Sequence, residues 1–175
     1  MPSRYYFLSS LPMLRFTDSA PITWERFMSE AVGNVSDSDY RLLTMIPEGK
    51  DGGNAFLKKC FSMDAALAGA VNSRRKQLLG REDNEGMILR EVEVERIAND
   101  AMNAKNPLEA EMLLMKFRFD YLEDIKGLEP FTQSALLSYA LQLRMLVRKD
   151  SFTVGNGNAE FGKLFDRLQK ELNME

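Results

Sequence analysis

The spacing of the apolar residues limits what this chain can fold into more than any other feature. From Leu108 through Met112, Met115, Phe119 and Leu122 they recur every three or four positions, which puts them along one side of a helix. Asn106-Pro107 opens that run, with asparagine as cap and proline at the first helical position. Leu113, Leu114, Phe117 and Tyr121 make further faces apolar, and only Glu109, Lys116, Asp120 and Glu123 form a wet stripe. This helix is therefore expected at the centre of the core.

The same period recurs along the chain. Thr23 caps a helix with Glu25 in its first turn and Trp24, Phe27, Met28, Ala31 and Val32 on its apolar face, and Gly33-Asn34 ends it. Ser36 or Asp37 caps a short helix carrying Tyr40, Leu42, Leu43 and Ile46, and a loop from Pro47 to Gly53 follows. Asn54 opens a long helical stretch toward Leu79. Phe56, Cys60, Met63, Leu67 and Val71 share one face, Leu78 continues it, and Ser62 to Asp64 is the point where it can break.

Gly80 to Gly86 reads as a polar loop. Arg90 to Arg96 alternates as a strand would, but Val94, Ile97, Ala98, Ala101 and Met102 keep helical spacing and decide for helix. Pro130 starts a helix with Leu136, Ala140, Leu143 and Val147 on one face and Arg148 and Lys149 at its C-terminal end. After a turn at Val154 to Asn158, a last amphipathic helix carries Phe161, Leu164, Phe165, Leu168 and Leu172. No repeat and no sustained heptad pattern is present. The expected fold is all-α, a compact bundle of six to eight helices forming a single domain over 1–175, with a subdivision near 80–88.

Composition narrows the chemistry. The chain contains no histidine, so histidine-based triads, histidine metal ligands and histidine pH switches do not arise. Cys60 is the one cysteine, which forms no internal disulfide and suits a reducing compartment. At 175 residues the chain can bury a core without disulfides or metal. A formal net charge of -3 argues against a general nucleic-acid binder. The apolar start, Tyr5 to Leu11, is short and broken by Ser9, Ser10 and Pro12, unlike a signal peptide, and no stretch reaches the length of a membrane span. A cytoplasmic location follows as the expectation.

Gly49-Lys50 lacks the spacing of a P-loop, and Gly155-Asn156-Gly157 lacks that of a dinucleotide fingerprint, so both read as turns. Asp120 and Glu123 stand at helical spacing with Asp124 beside them, which allows a Mg²⁺-dependent nucleotide hydrolase; a Lys116–Asp120 pair on a solvated face is the plainer reading. Glu82 and Glu85 form a second acidic pair in the loop. Cys60 reads as a buried small hydrophobe, and most of the methionines, such as Met28, Met63, Met112 and Met115, read as core, as does Trp24. Arg74, Arg75 and Lys76, with Arg81 nearby, form a basic run without interleaved aromatics. Arg74 falls beside the apolar stripe and needs a carboxylate, either within the fold or on another protein.

The segments Tyr5-Tyr6-Phe7-Leu8-Ser9-Ser10-Leu11-Pro12-Met13-Leu14 and Pro21-Ile22-Thr23-Trp24-Glu25-Arg26-Phe27 resemble the opening of an uncharacterised bacterial family. Genes of that family lie beside those of V-type ATPase subunits. Its members look like shortened relatives of the ATPase's C-type subunit, the socket on the membrane rotor ring that receives the central stalk. Asn72-Ser73-Arg74-Arg75-Lys76-Gln77-Leu78-Leu79-Gly80 resembles the Arg-rich helix of that group. The resemblance implies an all-α, non-enzymatic component without cofactor. It implies docking on V-type ATPase subunits of the rotor ring or central stalk, in coupling or assembly, at the inner face of the cell membrane through the ATPase. Arg74, Arg75, Lys76 and Arg81 are the interface candidates it leaves. A free-standing helical adaptor is the third reading.

Overall fold

A computed structural model describes residues 4–80 and 92–152. Among them are seven α-helices and no strand. They are α1 (Arg4–Ser10), α2 (Trp24–Ala31), α3 (Asp37–Met45), α4 (Ala55–Leu78), α5 (Val92–Met102), α6 (Pro107–Ile125) and α7 (Gln133–Asp150), with a 3-10 turn at Ile46–Glu48. The all-α class is as expected. The last helix expected, with Phe161 to Leu172, lies outside the described residues, as do Glu82, Glu85 and the turn at 155–157. So does all of the 80–88 boundary beyond Gly80.

Local chemistry sets the helix starts. The side chains of Thr23, Ser36, Asn54, Asn106 and Thr132 each accept the N–H three residues on, at 3.2, 3.2, 3.1, 2.8 and 3.1 Å. Each such cap satisfies a donor that the first turn leaves without an intrahelical partner. The cap of α7 is thus Thr132, two residues beyond the expected start at Pro130. Gly33, at φ +76°, takes the left-handed conformation that ends α2.

Among the described residues, two apolar clusters form the interior. The larger gathers Phe7 of α1, Phe27 and Ala31 of α2, Leu43 of α3, Leu57 of α4 and Leu136, Leu137, Ala140 and Leu143 of α7. The smaller gathers Met63, Leu67 and Ala70 of α4 with Val94, Ile97 and Ala98 of α5, and Leu114, Phe117 and Tyr121 of α6 pack on it. α4 serves both without the break expected at Ser62 to Asp64.

The centre is α7, not α6. Eight residues of α7 are buried, against three of α6, Met115, Phe119 and Leu122. The difference comes from neighbours: α7 packs on the larger cluster along one face and on α6 along another, while Leu108 and Leu113 of α6 stay exposed. The α6–α7 seam is polar at its middle. Ser138 Oγ donates to Leu122 O at 3.2 Å, and Gln142 Nε2 donates to Phe119 O at 3.3 Å and to Glu123 Oε1 at 2.7 Å. Val32, Leu78 and Val147, expected on apolar faces, are exposed; Leu78 is 70 % exposed.

Residues 11–20 form a strap across α7. Tyr139 OH donates to Pro12 O at 2.9 Å, and Lys149 Nζ donates to Phe16 O and Asp18 O at 2.6 Å each. Ala20 N–H donates to Asp150 Oδ2 at 2.7 Å. The Phe16 ring meets Phe119 at 5.6 Å and lies beneath the ammonium groups of Lys149 at 5.3 Å and Lys116 at 6.0 Å.

Candidate functional site

The basic run occupies the last turns of α4. Successive helical residues diverge by about 100°, so Arg74, Arg75 and Lys76 cannot share one patch. Arg74 turns toward α5. Its Nε lies 3.8 Å from Glu95 Oε2, and its Nη1 donates to Gln77 Oε1 at 3.0 Å. The carboxylate expected for Arg74 is therefore inside the fold. Nε itself is shielded from water and makes no hydrogen bond, since 3.8 Å is beyond bonding distance. Both side chains are part-exposed, and a pair of this kind is worth about 0–1 kcal/mol.

Arg75 faces the other way. It lines a hollow of about 480 Å³ with Val71, Ala101, Lys105, Pro107 and Glu111. Glu111 is engaged by Arg148 at 2.8 Å, whereas no ion pair joins Arg75 or Lys105 to another described residue. Arg75 and Lys105 are exposed, and Leu78 and Leu79 stand exposed on the next turn of α4. Lys76 is part-buried, and Arg81 lies outside the described residues. The surface brought together is thus Arg75 with Lys105, beside two bare leucines. Lys105 was legible only as the residue before the Asn106-Pro107 cap. Glu95 was legible only as a member of the alternating run Arg90 to Arg96, and nothing in the sequence paired it with Arg74.

The carboxylates of α6 are already engaged. Asp120 Oδ1 receives Lys116 Nζ at 2.7 Å, and Glu123 accepts from both Lys126 and Gln142, while Asp124 points outward in an exposed position. Among the described residues no three acidic or cysteine side chains converge as a metal site would require. Cys60 is buried, and burial, with the Asp64 carboxylate adding to it, pushes its thiol up to about 12, so it is protonated and unreactive at neutral pH. Gly49, at φ +69°, closes the 3-10 turn through its N–H to Ile46 O, a turn as expected.

Among the described residues, the one charged side chain buried almost completely is elsewhere. Asp39 is 1 % exposed at the meeting point of α1, α3, α4 and α7. Its Oδ2 accepts Arg4 Nε and Nη2, its Oδ1 accepts Gln133 Nε2, and Gln133 Oε1 accepts Asn54 Nδ2, the other end of the α4 cap. Burial alone would raise this carboxyl, but the bonds from Gln133, Arg4 and Ser36 outweigh it and hold it below the usual carboxylate range. A fully satisfied ionised carboxylate between helix ends organises the fold and offers no free proton for acid–base work.

Among the described residues no helix is long and apolar enough to cross a membrane. No family model, no curated protein and no solved structure matches the chain.

Proposed function

We propose that this chain works by docking on other proteins, as a non-enzymatic accessory or a socket-like, C-type component of a bacterial V-type ATPase. The observation that carries the docking reading is the end of α4. Arg75 and Lys105 stand exposed around one hollow without an ion pair to a described residue, next to exposed Leu78 and Leu79. Cations flanking bare aliphatic side chains suit an acidic, partly apolar partner, with the charges setting register and rate of encounter. The link to the ATPase rests on the resemblance of Tyr5 to Leu14, Pro21 to Phe27 and Asn72 to Gly80 to the family encoded beside its subunits.

The engaged state of Asp120 and Glu123 leaves the hydrolase reading without a free carboxylate cluster among the described residues. Affinity purification of the tagged protein from its own cells in mild detergent tests the proposal. V-type ATPase subunits are expected with the wild type and are expected to be lost with Arg75→Glu. Recovery without any of the ATPase's proteins overturns the ATPase link, and recovery undiminished by Arg75→Glu overturns the assignment of this surface.

A further inference from the structure

We propose that the cleft between α1, the strap and the α6–α7 turn is a docking groove for an amphipathic helix of a partner protein, with a carboxylate of that helix set against Arg15. The proposal concerns a different face from Arg75 and stands whether or not the partner belongs to an ATPase.

The cleft measures about 630 Å³. Leu8, Leu11, Leu14 and Ala135 line it, and the three leucines are backed by the larger apolar cluster. Its edges are apolar where solvent would favour polar groups. Met13 is 78 % exposed, and Leu128 is bare on the α6–α7 turn. Phe131 stands beside the cleft, with Tyr5 against it at 4.3 Å and Tyr6 against Tyr5 at 5.4 Å. Single exposed apolar side chains are ordinary, but a run of them around one depression marks a surface that a partner covers. The run extends beyond the cleft itself, farther than a small ligand reaches. A helix with apolar residues at i, i+3, i+4 and i+7 has the matching form.

Charge selects among such helices. Among the described residues, the charged groups lining the cleft are Arg15, Glu123 and Lys126. Glu123 is taken by Lys126 and by the buried Gln142. The one polar contact of the Arg15 guanidinium to a described residue is Met13 Sδ at 4.0 Å. One cation is left over, so an acidic helix completes the groove and a basic one meets like charge. The wall is also fixed in advance. Tyr139, Lys149 and Asp150 pin the strap at Pro12, Phe16, Asp18 and Ala20, so the groove does not have to order itself on binding.

The test is selection of displayed random peptides of about 16 residues, roughly four helical turns, on the folded full chain, with the Leu128→Asp variant as counter-selection. Leu128 and Arg15 are exposed, so both variants are expected to keep the wild-type helical spectrum and Tm. The peptides retained should carry apolar residues at helical spacing and an acidic residue. A synthesised one, followed by fluorescence anisotropy, should lose about tenfold or more in affinity on Leu128→Asp and on Arg15→Glu, and regain it on Arg15→Glu when its acid is replaced by lysine. Failure to enrich peptides that discriminate against Leu128→Asp, or enrichment without helical spacing and an acid, overturns the proposal. So does sedimentation showing a wild-type dimer that Leu128→Asp makes monomeric, because the groove is then covered by a second copy.

Discussion

Arg4 grips Asp39 with two donors on one oxygen, Nε at 3.0 Å and Nη2 at 2.6 Å from Oδ2, across 35 positions of sequence. Gln133 holds the other oxygen at 2.7 Å. This carboxylate is therefore the knot between a helix that has almost no other polar hold, α1, and the central helix α7.

Removing the knot should cost more than any surface change. Asp39→Ala leaves a part-exposed guanidinium and a part-buried amide without their acceptor, a loss of about 2 kcal/mol. Arg4→Ala should cost at least as much, because it leaves the Asp39 carboxylate, 1 % exposed, without its cation. Urea denaturation at pH 7 checks this as a fall in midpoint at unchanged slope.

The same residue sets the acid limit. Its folded carboxyl lies below the unfolded value, so the folded state releases the proton more readily. The stability it contributes is complete above roughly pH 4 and is lost as pH falls through the folded value. Asp39→Asn should be less stable at neutral pH yet lose less on acidification, which thermal melts between pH 6 and pH 3 would show. With no histidine in the chain, none titrates between pH 5 and 8.

Cys60 sets part of the alkaline limit. Its folded thiol is pushed up to about 12, while an unfolded cysteine ionises near about 8.5. The folded state keeps a proton that the unfolded chain gives up, so this contribution is whole below about pH 8.5 and declines as pH rises toward the folded value. At pH 10 the loss amounts to about 2 kcal/mol. Cys60→Ala should therefore lose less stability than the wild type between pH 8 and pH 10, measured by urea midpoints. A thiol reagent at pH 8 should label the native wild type only through opening.

Arg74 and Arg75 should separate cleanly. Arg74→Glu sets a carboxylate against Glu95 across the α4–α5 contact and should lower Tm by a few degrees, equivalent to about 1 kcal/mol. Arg75→Glu faces only the hollow and should stay within about 0.5 kcal/mol of the wild type. Thermal melts of the two variants side by side decide it, and a loss with Arg75→Glu as large as with Arg74→Glu would contradict the placement of the two side chains.

What could be read from the sequence was local. Thr23, Asn54 and Asn106 announce their helices because a cap is made within three residues. Val94, Ile97, Ala98 and Ala101 announce α5 because they repeat at helical spacing and all four are buried. α1 escaped notice for the opposite reason. It is short, its Ser9 and Ser10 look like breakers although their hydroxyls bond back to Tyr5 O and Phe7 O, and its anchor is the distant Asp39. The exchange of roles between α6 and α7 has a similar cause. Apolar content was higher on α6, but burial depends on what surrounds a helix, and α7 has neighbours on more sides. For the candidate site, the need of Arg74 for a carboxylate was legible, and the identity of Glu95 was not. Met13 and Leu128 gave no signal at all, because an apolar residue in a connection has no period to depart from.

One consequence of the continuous α4 concerns the route by which the molecule comes apart. At 24 residues it is a rod of about 36 Å, rooted in the larger cluster by Leu57 and carrying the smaller one on Met63, Leu67 and Ala70. Two clusters joined by a flexible connection would melt independently. Joined by one rod, the smaller cannot leave as a unit; its loss must travel inward as fraying from Leu78. Amide hydrogen exchange along α4 should then grade from fast at its basic end to slow near Leu57, a gradient of opening within one helix rather than a step between two domains.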